Sequence, residues 1–344
     1  MRADGARADG GGVRAGAPSI LTRIVERKRL RLAEAASARP LGDLKRRIAD
    51  GVAKPPRSLS AALSSGDGAA VQDVVAVQDV AAVQDVVAVQ DVVAVQDGSR
   101  FPRVIAELKR RSPSRGLLAR APAPGAAGAA ASGEDGAMDL GAVHRAYARG
   151  GADALSVLTE QDFFDGSLDD LRRLAALTSL PVLRKDFLFE EYQIYEAREA
   201  GADAVLLIVG LLEPARLAGL LALTVELGME ALVEVHTKGQ LAEAARAGSS
   251  VIGINSRNLD TFEVRLETAE RLIPLVPRGR IAVCESGIHG PDDVRRLLAA
   301  GASGFLVGEH LMTAPDPARA LRELKRCRIP AGGHDATGGP HGRA

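Results

Sequence analysis

Eight short apolar segments recur along the C-terminal two thirds of the chain, separated by stretches long enough for a helix. They are residues 104–109, 154–160, 181–187, 204–209, 230–236, 251–258, 281–287 and 304–310. From the second segment onward their starts lie about 21 to 30 residues apart. Near-continuous apolar strands that alternate with helices are typical of a parallel sheet. Eight such units predict an α/β fold, a closed (β/α)8 TIM barrel, rather than an open doubly wound sheet.

Outside the eight segments, helical periodicity and composition indicate the regions that flank the barrel. Ser19 stands at an N-cap position before apolar residues at helical spacing, which predicts an amphipathic helix, and residues 41–49 predict a second one. We therefore expect a helical extension at the N-terminal side of the barrel. The predicted units are a disordered tail (1–18), the helical extension (19–60), a linker (61–101), the catalytic barrel (102–327) and a disordered tail (328–344).

Two low-complexity insertions interrupt this plan. Residues 71–97 repeat the hexapeptide VQDVVA with small variations, and a six-residue period gives no continuous helical stripe and no purely apolar strand face. We expect a disordered insertion here; the alternative is an interaction element, whose partner the sequence does not identify. Residues 119–136 are rich in Ala, Gly and Pro and are predicted to expand the loop after the first strand.

The charge balance and the cysteine count limit the kinds of partner. Lys and Arg together number 44, as do Asp and Glu, so no net field attracts nucleic acid or an acidic membrane. Two cysteines, Cys284 and Cys327, cannot form a disulfide framework, and the N-terminal region carries no apolar signal core. The six histidines show no metal-ligand spacing. We expect a cytoplasmic protein that binds a small molecule, with no metal, nucleic-acid or membrane partner.

Polar and charged residues enter most of the apolar segments only near their C-terminal ends. These residues are Glu107, Lys109, Thr159, Glu160, Arg184, Lys185, Asp186, Glu234, Asn255, Arg257, Glu285 and Ser286. The two-residue period of a strand places Glu107 and Lys109 on one face, and because unpaired buried charges are costly, they should pair with each other or with a ligand. The C-terminal strand ends of a barrel surround one mouth, where barrel enzymes act. The pattern therefore predicts an active site.

The last two segments end in glycines. Gly287 follows Ser286 at the end of the seventh segment, and Gly308 ends the eighth apolar run, each ahead of a predicted helix start. Backbone N–H groups approach an anion closely where no Cβ intervenes, and a helix N-terminus favours negative charge. Within a barrel, this pattern predicts a phosphate-binding site.

Several phrases at these positions together resemble the indole-3-glycerol phosphate synthase family. They are VIAELKRRSPSRG (104–116), SVLTEQDFFDGS (156–167), PVLRKDFLFEEYQIYEAREAGADAVLLIV (181–209), ALVEVH (231–236), INSRNL (254–259), ESGI (285–288) and GFLVG (304–308). The resemblance covers roughly residues 19–60 and 102–326, and the N-terminal ILTRIVERK looks like the family's extra helix. The combination is far more specific than any single motif.

The resemblance implies a substrate, a reaction and a set of acid–base residues. The substrate is 1-(2-carboxyphenylamino)-1-deoxyribulose 5-phosphate, a small-molecule sugar phosphate. The reaction closes the indole ring and releases CO2 and water in tryptophan biosynthesis, without cofactor or metal. By this resemblance Lys185 is the general acid that activates the ketone, and Glu234 and the Glu107–Lys109 pair are candidates for the dehydration. Lys109 is also expected to act as an electrostatic clamp on an anionic group.

The same resemblance implies the binding residues. The expected substrate contacts are Ser112, Phe164, Phe187, Leu206, Asn255, Arg257, Glu285 and Ser286, and the expected phosphate contacts are Gly287, Gly308 and Lys109. Phe164, Phe187 and Leu206 are expected to form an apolar wall for the anthranilate ring. Cys284 and His236 are expected to be structural.

Two other functions are compatible with the sequence. One is a different sugar-phosphate barrel enzyme, such as phosphoribosylanthranilate isomerase, which needs one acid–base pair and no wall for a decarboxylating ring. The other is a barrel retained as an interaction scaffold, with the repeat at 71–97 as its binding element. A comparison of substrates with and without the carboxylate distinguishes the isomerase from a decarboxylating synthase. Deletion of the repeat tests the scaffold.

Overall fold

A computed structural model describes residues 20–51, 54–64, 101–113, 116–118, 138–258, 261 and 263–329. The tail 1–18, the repeat 71–97 and the insertion 119–136 lie outside these residues, as does the tail from residue 330 onward. No helix in the described ranges is both long enough and apolar enough to cross a membrane.

The barrel strands of the described chain alternate with helices, and a short hairpin follows the first of them. The strands are β1 (Arg103–Leu108), β2 (Arg111–Ser112), β3 (Gly116–Leu117), β4 (Ala154–Leu158), β5 (Val182–Lys185), β6 (Ala204–Ile208), β7 (Glu230–Val235), β8 (Val251–Asn255), β9 (Ile281–Glu285) and β10 (Gly304–Val307). The α-helices are α1 (Ile20–Ala38), α2 (Leu41–Ala49), α3 (Leu59–Leu63), α4 (Leu140–Gly150), α5 (Leu168–Leu177), α6 (Glu191–Glu199), α7 (Pro214–Glu226), α8 (Lys238–Arg246), α9 (Leu266–Leu272), α10 (Pro291–Ala300), α11 (Glu309–Thr313) and α12 (Pro317–Lys325). Short 3-10 turns follow β6 and α9.

Eight parallel strands close into a barrel, as the sequence predicts. Their order around the barrel is β1, β10, β9, β8, β7, β6, β5 and β4, and β1 pairs with both β10 and β4. All eight observed strands lie on the predicted apolar segments. The hairpin of β2 and β3, which follows β1, is not predicted from the sequence.

Strand periodicity separates two apolar layers. In β6, the side chains of Ala204, Leu206 and Ile208 belong to the cluster inside the barrel. Val205 and Leu207 belong to the larger cluster between the sheet and its helices. Because both faces of each strand are covered, the strands read as nearly continuous apolar sequence.

The N-terminal extension runs from the mouth of the barrel to its opposite end. Near the mouth, Lys28 of α1 contacts Asp186, which directly follows β5. Alongside α6, the Tyr192 hydroxyl donates to the carbonyl of Arg39 at 3.0 Å, just before α2. At the far end, the backbone N–H of Ser60 donates to Glu230, the first residue of β7, at 2.6 Å.

Helix α3 is a feature that the sequence pattern does not predict. Leu59 and Leu63 are fully buried within the cluster inside the barrel. Ser58 caps the helix, since its hydroxyl accepts the N–H of Ala61 at 3.0 Å. The helix crosses residue 60, where the sequence places the end of the extension, and it covers the N-terminal end of the barrel.

Candidate active site

One cleft at the C-terminal mouth of the barrel contains every predicted site residue. Its atom-free space is about 1020 Å³, including the open entrance. The predicted residues on its wall are Glu107, Lys109, Ser112, Phe164, Lys185, Phe187, Leu206, Glu234, Asn255, Arg257, Glu285, Ser286, Gly287 and Gly308. The structure therefore brings together all the residues that the sequence proposes, whereas their chemical roles stay predictions.

The strand register explains why these side chains converge. Lys185, Asn255 and Glu285 are the last residues of β5, β8 and β9, and Asn255 pairs in register with Glu285. Glu234 is the next-to-last residue of β7, as Glu107 is of β1. In a barrel of parallel strands these positions form one ring at the C-terminal end.

Lys185 is at the centre of the charged groups in the cleft. Its Nζ atom lies 3.0 Å from Glu285 Oε2 and 3.3 Å from Glu234 Oε2. Burial lowers the pKa of Lys185, but the carboxylates of Glu285, Glu234 and Glu107 outweigh burial and raise the pKa above its ordinary value. The side chain is therefore an ammonium group at neutral pH.

The pKa values of the two glutamates beside Lys185 are shifted in opposite directions. Burial raises the pKa of Glu285, and the nearby Glu234 raises it further. Lys185 lowers it, and the resulting pKa is about 8. Burial also raises the pKa of Glu234, but Lys185, His236 and Asn255 together bring it below the ordinary value. Close acidic groups with pKa values moved apart are a usual sign of acid–base work. Glu234 is therefore a carboxylate at neutral pH, whereas Glu285 holds its proton more tightly than an ordinary glutamic acid does.

Glu107 and Lys109 form an ion pair, as their spacing predicts. The Nζ atom of Lys109 lies 2.9 Å from Glu107 Oε1. The Ser156 hydroxyl is 3.5 Å from the other carboxylate oxygen of Glu107. The absence of a side chain at Gly308 makes room for this carboxylate, because a Cβ there would lie 2.5 Å from Glu107 Oε1. The pair is thus held against the predicted phosphate end of the cleft.

The backbone after β9 adopts a conformation that few residues tolerate. Ser286 and Gly287 have φ values of 63° and 79°, in the left-handed region. A Cβ on Gly287 would also meet Val264 at 2.7 Å, so a larger residue fits neither sterically nor conformationally. On the next strand, Gly308 is the N-cap of α11. These segments present backbone groups to the cleft where the sequence predicts a phosphate.

The opposite side of the cleft is apolar. The rings of Phe164 and Phe187 lie 6.1 Å apart between centroids, and both join Leu206 in the cluster inside the barrel. The buried carboxylate of Glu160 accepts the N–H of Phe163 at 2.7 Å and that of Phe164 at 3.2 Å. Glu160 therefore fixes the loop that carries the Phe164 ring.

Several residues on the cleft wall are absent from the predicted set. They are Pro113, Leu158, Asp186, Ile208, Ile288, His289, Leu306, Val307 and Glu309. The two-residue period of the strands could have identified three of them. The last inward-facing residues of β4, β6 and β10 are Leu158, Ile208 and Leu306. Gly253 was also missed. A Cβ there would overlap Glu285 Oε1, so the glycine makes room for that carboxyl group.

The donor set of the cleft does not resemble a metal site. In the part of the chain that the structure describes, no group of three or more His, Cys, Asp or Glu side chains is arranged to hold a metal ion. The acidic groups of the cleft instead surround two lysine ammonium groups.

Comparison with known proteins decides the family. The sequence model of the family described as Indole-3-glycerol phosphate synthase matches residues 69–324. The chain belongs to the indole-3-glycerol phosphate synthase family. The resemblance found in the sequence is therefore confirmed.

Curated relatives agree with this membership. The indole-3-glycerol phosphate synthase of Albidiferax ferrireducens is 48% identical over 223 residues, which cover 65% of this chain and 78% of that protein. The indole-3-glycerol phosphate synthase of Nocardioides sp. is 42% identical over 310 residues, which cover 89% of this chain and 98% of that protein.

Solved structures agree on the fold. The 3-hexulose-6-phosphate synthase from Salmonella typhimurium aligns with a TM-score of 0.50 at 13% identity, covering 65% of this chain and 97% of that one. At this identity the likeness shows the barrel fold alone.

Proposed function

We propose that the chain converts 1-(2-carboxyphenylamino)-1-deoxyribulose 5-phosphate into indole-3-glycerol phosphate, CO2 and water. The observation that carries this proposal is the Lys185 ammonium group, which contacts Glu234 and Glu285 in the cleft of a member of this family. The two free, buried cysteines of the chain fit a reducing compartment, and we place the reaction in the cytoplasm.

Lys185 acts as general acid in the ring closure. The ketone carbon becomes electrophilic when its oxygen receives a proton, and Lys185 is a charged donor at the centre of the cleft. The ring carbon that bears the carboxylate attacks, and loss of CO2 restores the aromatic ring. Phe164, Phe187 and Leu206 hold the ring on the apolar side, where exclusion of water strengthens the interactions of the reacting charges.

Loss of water requires a second acid and a base. The Lys109 ammonium group, paired with Glu107 at 2.9 Å, supplies the proton for the leaving hydroxyl group. Glu107, which contacts Lys109, accepts the proton from the carbon next to the nitrogen and returns it to Lys109, so the proton still missing after one turnover is the one that Lys185 gave. Both pairs act within one cleft, so the intermediate need not leave between steps.

The two ends of the cleft orient the substrate. The phosphate binds the backbone around Gly287 and Gly308, and Lys109 complements its charge. Asn255 and Arg257 line the cleft beside Glu234 and contact the polar groups of the substrate. The aromatic ring and the phosphate therefore fix the ketone between the two lysines.

A substrate comparison tests the proposal. Purified protein incubated with the carboxylated substrate is expected to develop indole fluorescence and to release one CO2 per product. Phosphoribosylanthranilate, the substrate of an isomerase, is expected to remain unchanged. Conversion of phosphoribosylanthranilate without any reaction of the carboxylated compound would overturn the proposal in favour of the isomerase.

A further inference from the structure

His236 contacts the Glu234 carboxylate from the side opposite Lys185. Glu234 is the next-to-last residue of β7, and His236 directly follows the strand. Glu234 Oε2 lies 3.3 Å from Lys185 Nζ, whereas Glu234 Oε1 lies 3.5 Å from His236 Nε2. One carboxylate therefore stands between an ammonium group and an imidazole ring.

The three groups differ in their access to the cleft and to solvent. Lys185 and Glu234 line the cleft, and only 2% of the Glu234 side chain is exposed. His236 is not among the residues that line the cleft, and 18% of its side chain is exposed. The backbone N–H of His236 donates to Gln240 Oε1 at 2.7 Å, which fixes the position of the residue. His236 is thus a partly exposed residue that contacts Glu234 and is not part of the cleft wall.

The two facing atoms have no other hydrogen-bond partner. Glu234 Oε1 and His236 Nε2 are both buried, and neither forms a hydrogen bond among the described residues at their present separation of 3.5 Å. Buried polar atoms without a partner are rare and call for an explanation. A small approach of the two side chains would form a direct path for a proton between them.

The proposed reaction consumes one proton in each turnover. Ring closure adds a proton to the ketone oxygen, and departure of CO2 returns the electron pair of the broken C–C bond to the ring. Dehydration adds a second proton to that oxygen, which leaves as water, while the carbon next to the nitrogen releases one proton. Two protons enter and one is returned, so solvent must supply one proton per product.

We propose that His236 resupplies this proton by relaying it from solvent to Glu234, from which it reaches Lys185. The inference rests on the proposed function, because it uses the proton balance of that reaction. His236 touches neither the cleft nor the reacting atoms, so it acts through Glu234. Proton exchange can then proceed while the substrate or the product closes the mouth of the barrel.

The test compares single and multiple turnovers of the variant His236→Gln. The glutamine side chain keeps hydrogen-bonding atoms but neither takes up nor releases a proton at neutral pH. With enzyme in excess, the protons already on Lys185 and Lys109 support one turnover at nearly the wild-type rate. With substrate in excess, kcat is expected to fall by about 10²-fold, the lower end of the range for loss of a proton-transfer group. Added imidazole should restore kcat in proportion to its concentration.

A histidine outside the cleft provides a matched control for the variant. His144 lies on α4, away from the cleft, and His144→Gln should leave both rates unchanged. An unchanged kcat in His236→Gln would show that protons return through the open mouth and would overturn the relay. Equal loss in single and multiple turnovers, without imidazole rescue, would assign His236 a structural role instead. Absence of product from the wild type would refute the proposed function itself.

Discussion

The Nζ atom of Lys28 lies 2.8 Å from Oδ1 of Asp186, the residue that follows the central lysine of the cleft. Lys28 belongs to α1 of the N-terminal extension, so this ion pair joins the extension to the end of β5. Burial raises the pKa of Asp186, but Lys28 and Arg184 outweigh burial and hold the pKa at about 2. The Thr159 hydroxyl donates to the same carboxylate at 2.6 Å. The extension therefore stabilises the segment that carries Lys185.

Lys28→Met is expected to lower both stability and activity. Removal of one partner leaves Asp186 with an incompletely compensated buried charge, which costs about 3 kcal/mol of the free energy of unfolding. The end of β5 then loses a fixed position, and kcat/KM should fall with it. Urea denaturation and steady-state kinetics measure the two effects. Glu26→Gln, on the exposed side of α1, is the control and should change the unfolding free energy by less than about 0.5 kcal/mol. Equal stability of Lys28→Met and wild type would contradict the account.

Glu285 makes the stability of the protein depend on pH. Its pKa is about 8 in the folded chain against an ordinary value of 4.5, so the folded state binds more protons between these pH values. Stability from this group is therefore complete at low pH and decreases as pH rises from about 4.5 to about 8. Relative to wild type, Glu285→Gln should gain unfolding free energy between pH 5.5 and pH 8. Urea denaturation of both proteins at the two pH values gives this difference, and a difference that decreases with pH would refute the raised pKa.

Gly308→Ala is expected to impair the cleft without unfolding the barrel. The new Cβ would lie 2.5 Å from Glu107 Oε1, so the carboxylate must move away from Lys109. We expect kcat/KM to fall by about tenfold or more, because small displacements of catalytic groups carry large costs. Gly219→Ala is the matched control, since nothing lies within 4 Å of its Cβ position on α7. In that helix, alanine should add up to about 1 kcal/mol of stability with unchanged kinetics.

The barrel could be predicted because each strand shows its burial within a few consecutive residues. A buried parallel strand needs apolar residues on both faces, and this requirement appears directly as runs such as residues 204–209. The convergence of Glu107, Lys185 and Glu234 follows from the topology, since each stands at a C-terminal strand end. Once the barrel is assumed, no further information is needed to place these residues at one mouth.

The missed features depend on contacts between distant parts of the chain. Lys28 looks like an ordinary polar residue of an amphipathic helix, and its partner Asp186 is 158 residues away. Leu59 and Leu63 lie in too short a segment to show helical periodicity, yet they are fully buried inside the barrel. The role of Gly253 depends on the position of the Glu285 carboxyl group on the neighbouring strand. Such pairings are set by packing rather than by local sequence.

The most direct test of the account is the turnover of Lys185→Met and Lys185→Arg with the carboxylated substrate, followed by indole fluorescence. Methionine removes the ammonium group that contacts Glu234 and Glu285, and arginine keeps a positive charge but does not release a proton at neutral pH. Circular dichroism verifies that each variant is folded. The account predicts that kcat falls by about 10² to 10⁴-fold in both folded variants. Turnover close to wild type in either folded variant would contradict the role of Lys185 as the general acid.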